Sequence, residues 1–349
     1  MPKRPDERFT IPRPEAFTLP VLDLLGGVAR PRVLTGAEAI AELGRIEEKA
    51  RAGDPAAQAE LARRLLTEDP DARKNRRALL LLKKSAASGN PEGLHLLALV
   101  HLRGQGLKQN LPEGVRLLET AAYKGNRDAA RDLARAAAEG IGMAPDPGKA
   151  LYWLRIAGAQ GDSPSSLAAG RACRDSSGTQ KNDREAEKWL ERAAQGGVAE
   201  AQYELAELKR RSPEVRDPAA SRRWMREAAF SGIVDAQFRT GVASWSGAGG
   251  SVDQREAVRW LCRAAEGGSA KAASMLAGFF MTGNGLPLSP VRAWALFLLA
   301  DALGDTGAAA MASMLERQIP QPELDAARAW LEAENAHAFL ETVIPRSER

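Results

Sequence analysis

The chain carries few side chains suited to catalysis or metal binding. Its three histidines stand at 95, 101 and 337. His95 and His101 are six residues apart, about 120° from each other around a helix, so they miss the i, i+4 spacing with which two imidazoles hold one metal. Cys173 and Cys262 are 89 residues apart and read as small buried fillers rather than a disulfide. The sequence contains no H-E-x-x-H, C-x-x-C, G-x-S-x-G or Walker motif. Glycine pairs at 104/106, 140/142, 247/249 and 283/285 recur as turns between helical stretches, without the preceding strand a phosphate cradle needs. These residues give no catalytic constellation and no metal or cofactor site, and the expectation is a non-enzymatic chain without cofactors.

Charge and hydropathy narrow the remaining classes. The 49 Lys and Arg residues against 45 Asp and Glu give +4 over 349 residues, with the signs interspersed, which argues against a nucleic-acid partner. No run of 18 apolar residues is present, so no membrane span is expected. The first residues, MPKRPDERFTIPRP, are basic but lack an apolar stretch of signal-peptide length. A cytoplasmic chain is expected, or a periplasmic one if the true start lies upstream. Aromatic residues are only 5% while alanine and leucine abound, which favours helices packed through small contacts.

The organising element is a helix, residues 183–197 (DREAEKWLERAAQGG), with an apolar side of Ala186, Leu190, Ala193 and Ala194 and a closing glycine pair. The same pattern ends at Gly89, Gly125, Gly161, Gly232 and Gly268. The glycines at 53, 89, 125, 161 and 197 are 36 residues apart; 232 follows after 35, then 268 and 304 after 36 each. A fixed period of this length marks a solenoid of stacked helix pairs. Four residues after each marker glycine, and nine after, all sixteen residues are Ala, Gly or Ser, as close approach between helices requires. Eight before it stand Leu81, Leu117, Trp153, Trp189, Trp224, Trp260 and Leu296, and Trp330 restarts the column; the periodicity marks them as apolar plugs between repeats rather than a ligand box.

Each unit is thus helix, glycine turn, helix, glycine. Ala201-Gln202 and Ala236-Gln237 at the start of a unit, the G-x-G turns, and residues 149–153 (KALYW) in a second helix resemble the Sel-one-like repeat family, relatives of tetratricopeptide repeats. Two turns depart from the pattern, residues 67–73 (TEDPDAR) and 209–215 (KRRSPEV), which are polar and read as looser. The family's tyrosine, twelve after the marker, is replaced by His101, Cys173, Lys209 and Ser244. The resemblance implies an all-α, right-handed α/α superhelical solenoid of seven to eight helix-turn-helix repeats. The expected organisation is a proline-rich extended arm at 1–34, a capping helix at 35–52, the solenoid at 53–338 with a polar terminal unit at 306–335, and a C-terminal tail at 339–349.

The resemblance also implies a scaffold or adaptor of a bacterial complex, in signalling, envelope biogenesis or secretion, that holds a partner in a concave groove lined by the first helices. On that basis positions six, seven and ten after each marker face the groove. They gather a basic stretch of His95, Arg131, Arg135 and Arg171 and an aromatic one of Tyr203 and Phe238 with Arg239 nearby. Arginine forks suit a partner protein or peptide segment that is acidic or presents its C-terminus. A solvated charged face with two aromatics covering a neighbouring groove accounts for the same residues. A monomer is expected. Two other classes stay open: an exported module for a glycan or for peptidoglycan or exopolysaccharide machinery, and a self-assembling structural module. The apolar segment at 17–27 either folds back over the first helices or docks a partner.

Overall fold

The computed structural model describes residues 36–67, 72–175, 181–332 and 336–344, and every regular element among them is helical. The arm at 1–34 lies outside the described residues. The first helix, α1 (Gly36–Arg51), precedes seven helix pairs. In chain order these are α2 (Pro55–Thr67) with α3 (Ala72–Ala87), α4 (Pro91–Arg103) with α5 (Leu111–Tyr123), and α6 (Arg127–Glu139) with α7 (Pro147–Ala159). They continue with α8 (Ser163–Arg174) and α9 (Asp183–Gln195), α10 (Ala199–Arg211) and α11 (Pro218–Phe230), α12 (Val234–Ser246) and α13 (Gln254–Glu266), and α14 (Ala270–Thr282) and α15 (Pro290–Ala302). The series closes with α16 (Ala308–Glu316), α17 (Gln321–Arg328), a 3-10 turn (Ala329–Glu332) and α18 (Ala336–Val343). Within each pair the two helices pack together, and from α1 to α9 and again from α10 to α16 each helix also packs on the next, which makes the fold an all-α solenoid. The described residues fall into two compact units, one ending at Gly196 and one beginning at Gly197.

Most boundaries are written in the sequence. Asn90, Asn126, Asp162 and Ser269 cap first helices, and Asn110, Asp146, Asn182, Asp217 and Asp253 cap second helices, each side chain accepting a backbone N–H of the first turn. Pro91, Pro147, Pro218 and Pro290 occupy first-turn positions, where a missing N–H costs nothing. In four repeats the chain leaves the first helix through a left-handed glycine, Gly104, Gly140, Gly247 or Gly283, and the second glycine of the turn is left-handed too. In the third repeat Gly142 has φ 68°, and a Cβ there would lie 2.6 Å from the Leu111 carbonyl oxygen, so glycine is required for conformation and for space.

One backbone bond closes this turn in six repeats. The carbonyl twelve residues after the marker glycine accepts from the cap residue of the second helix: Asn110 N–H to His101, Asp146 to Ala137, Asn182 to Cys173, Asp217 to Lys209, Asp253 to Ser244 and Ser289 to Phe280, at 2.7–3.0 Å. The side chain at that position therefore varies freely while the turn persists. The turn at 209–215, which lacks glycine, closes in the same way and is anchored by buried Ser212 and Val215 rather than loosened.

The small columns are the close-approach points. Gly170 and Gly241 bring their backbones against the next helix, where a Cβ would lie 2.7 Å from Leu190 Cγ and 2.8 Å from Leu261 Cγ. Ala57, Ala98, Ala129, Ala206, Ala236 and Ala277 are buried at equivalent positions. The last unit departs: Ser313 is exposed and Ala312 takes its place. Leu117, Trp153, Trp260 and Leu296 are buried plugs, and Trp224 and Trp330 are half-buried against neighbouring cores. The cysteines are buried, free thiols, one in each unit.

At the C-terminus the expectation of a tail from 339 onward is corrected. Phe339, Leu340, Val343 and Ile344 are fully buried in the core of the last repeats, and α18 packs on α13 and α15. The physical reason is the A-x-x-F-L-x-x-V-I pattern at 336–344, which places its apolar residues on one face.

Candidate interaction surface

The basic stretch lies on α4, α6 and α8 of the unit ending at Gly196, and acids meet it there. His95 is buried at 7% exposure, and its Nε2 is 2.8 Å from Asp132 Oδ2. It is thus withdrawn from any open surface, which corrects its assignment as a groove residue. Arg131 Nη1 donates to Asp162 Oδ1 of the next repeat at 3.2 Å and lies 3.0 Å from Asp128 Oδ1. Asp162 is also the cap of α8, accepting from Ser165 N and Oγ. Arg135 lies 3.8 Å from Asp132, and Arg171 helps hold the Asp175 carboxyl below its usual range, after a hydrogen bond from Arg174 that contributes most.

In the unit beginning at Gly197, Tyr203 donates its hydroxyl to Asp235 Oδ2 of the following repeat. Arg239 Nε donates to the same carboxylate at 2.9 Å, lies over the Tyr203 ring at 6.0 Å, and reaches Glu207 at 3.4 Å. Glu207 also pairs with Arg210 and Arg211, each at 2.8 Å. Burial works against the Asp235 carboxylate, but hydrogen bonds from Tyr203 and Arg239 and the nearby guanidinium outweigh it and hold its carboxyl below the usual range. Burial, then the bond to Asp235, pushes the Tyr203 phenol up.

A common geometry links these pairs. The residue six after a marker glycine bonds an acid in the following repeat: His95 to Asp132, Arg131 to Asp162, Tyr203 to Asp235, and Ser274 to Asp305 at 2.5 Å. In these four repeats the column ties one repeat to the next. The acids escape a reading of one repeat at a time, because each partner lies 31 to 37 residues ahead and at differing positions after the next marker glycine, so no single column gathers them.

The tie at Tyr203 has a pH signature. With its carboxyl lowered, Asp235 contributes stability above the ordinary carboxylate range of about 4, and this is lost as pH falls through its folded value. With its phenol raised, folded Tyr203 keeps its proton where the unfolded chain releases one, so that contribution fades as pH rises above about 10. The difference in thermal midpoint between the wild type and Tyr203→Phe is therefore expected to be constant between pH 5 and 9, about the range between those two values, and to narrow on either side. A difference independent of pH would contradict the tie.

Phe238 and Arg239 do meet an open cavity, and Tyr203 is not on its wall. The cavity, about 280 Å³, lies between α10, α11, α12 and the turn after α12. Its apolar wall is Met225, Phe238, Val242 and Ala243, and its charged groups are Glu207, Arg210, Arg222 and Arg239. Sequence columns six, seven and ten supply Phe238, Arg239, Val242 and Glu207. Met225 and Arg222 come from the second helix, α11, which a reading confined to first helices passes over. Arg222 Nη2 donates to the Ser251 carbonyl at 3.2 Å, while its Nη1 is buried with no acceptor among the described residues. Among those residues no three His, Cys, Asp or Glu side chains gather as a metal-holding group, and no helix is long and apolar enough to cross a membrane.

Comparison with known proteins agrees with this architecture. No curated protein matches the chain. A Sel1 repeat protein from Oxalobacter formigenes is 24% identical in its solved structure, with 86% of this chain and 90% of that one covered and a TM-score of 0.61, a likeness of fold. A protective antigen of uropathogenic Escherichia coli displaying an SLR fold is 19% identical over 88% of this chain and 96% of its own, with a TM-score of 0.33. A sel1 repeat protein from Klebsiella pneumoniae is 19% identical over 58% and 99%, with a TM-score of 0.37. The Sel1 repeat model matches seven times, at residues 55–90, 91–126, 127–162, 166–198, 199–230, 234–269 and 270–305, the helix pairs from α2–α3 to α14–α15. Seven matched repeats on a solenoid of seven helix pairs establish that the chain belongs to the Sel1 repeat family.

Proposed function

We propose that the protein is a non-catalytic scaffold that binds a segment of a partner protein, as an adaptor in a bacterial complex. Sel1 repeat proteins are generally protein-interaction scaffolds. The observation that carries the reading for this chain is the cavity lined by Met225, Phe238, Val242 and Ala243 with arginines around it, a combination of apolar and guanidinium groups that supplies most interface anchors. The basic stretch of Arg131, Arg135 and Arg171 is a secondary contact region in this reading, since its acids already take part of its hydrogen-bonding capacity.

Affinity capture from the source cell, followed by mass spectrometry, tests the proposal. One protein is expected to be enriched at near-equal amount with the full chain. Enrichment of glycan fragments without protein, or self-association as the sole outcome, would overturn it in favour of a glycan-binding or a self-assembling module.

A further inference from the structure

The cavity in repeats five and six has a chemistry more specific than adhesiveness. Three guanidinium groups, Arg210, Arg222 and Arg239, reach its wall against one carboxylate, Glu207. Glu207 is already committed to Arg210, Arg211 and Arg239, and Asp235 shares Arg239 from outside the wall. Arg222 is the exception: among the described residues no carboxylate pairs with it, one terminal nitrogen bonding the Ser251 carbonyl and the other lying against Gly250. A guanidinium without an acidic partner beside an apolar wall is left with its charge unmatched, and a carboxylate is the acceptor that fits it in charge and shape. A small inorganic anion would satisfy Arg222 and leave Met225, Phe238 and Val242 uncovered. The volume of about 280 Å³ also exceeds what one anion fills.

We infer that this cavity receives an extended segment of a partner protein in which a large aliphatic or aromatic side chain stands beside an aspartate or glutamate. The apolar side chain covers Met225, Phe238 and Val242, and the neighbouring carboxylate pairs with the Arg222 guanidinium at the cavity wall. The net positive wall selects against basic segments, which face three like charges. The inference rests on the scaffold reading and names the partner chemistry of its site.

Random peptides displayed on phage and panned on the full chain test it. Enriched peptides are expected to share a large apolar residue with Asp or Glu within two positions. A synthetic copy of the commonest one should bind Arg222→Ala at least about tenfold more weakly, the value of a charge-assisted hydrogen bond. Ala243→Leu keeps a strong helix former and fills the cavity, so it should remove binding while the helical circular dichroism of both variants stays that of the wild type. No enrichment, enriched peptides without carboxylates, or equal binding by the wild type and Ala243→Leu would overturn the inference. Capture of the same cellular partner by the wild type and Ala243→Leu alike would leave the scaffold reading standing and remove this cavity from it.

Discussion

Leu261→Ala is expected to lower the stability of the unit beginning at Gly197 by about 3–4 kcal/mol, measured by denaturant unfolding. Leu261 is fully buried on α13, and its side chain lies where the backbone of α12 comes closest, at Gly241. Collapse into the space it leaves is limited, because the flanking Ala257, Ala264 and Ala265 are short and already fully buried. The same contact gives a coupling. Gly241→Ala alone puts a Cβ at 2.8 Å from Leu261 Cγ, and overpacking of this kind costs about 1–3 kcal/mol, partly offset by the helix preference of alanine. In the Leu261→Ala background that Cβ fills vacated space, so the double variant should be more stable than the sum of the singles predicts, by about 1 kcal/mol. Strict additivity would contradict the assignment of the small column as a packing point.

Phe339→Ala carries the second large effect, about 3–5 kcal/mol for removing a fully buried phenylalanine. Its form differs from that of Leu261→Ala. The helix α18 spans Ala336–Val343, eight residues, and a helix so short does not persist without its packing against α13 and α15. The loss is therefore expected as release of α18: amide protection across 336–344 disappears and proteolysis there accelerates, while α10 to α12 keep their protection, as nearest-neighbour coupling in a solenoid predicts. Rapid cleavage in this stretch of the unaltered protein, with no change on substitution, would show that the C-terminal helix caps nothing.

The parts of the fold legible in the sequence are those encoded within one period. The marker glycines, the small columns and the cap residues each act on neighbours within a turn or on the adjacent helix, so their spacing alone positions them. Trp153 and Trp260 sit in cores as their column demands. What escaped the sequence are pairings between repeats and between helix layers. His95 reads as a polar residue on a first helix until Asp132, 37 residues later, is seen at 2.8 Å from it. Arg222 and Met225 belong to a second helix, and they reach the cavity because α11 packs between α10 and α12. Column patterns say which side of a helix is apolar; they do not say where two helices leave room between them.

The most direct test of the scaffold account is hydrogen exchange on the full chain, alone and bound to the protein it captures. The account predicts slowed exchange in Pro218–Phe230 and Val234–Ser246, around Met225 and Phe238, with Pro91–Arg103 unchanged. No slowing in any helix would contradict it, and slowing confined to Pro91–Arg103 and Arg127–Glu139 would contradict the placement of the partner at the cavity.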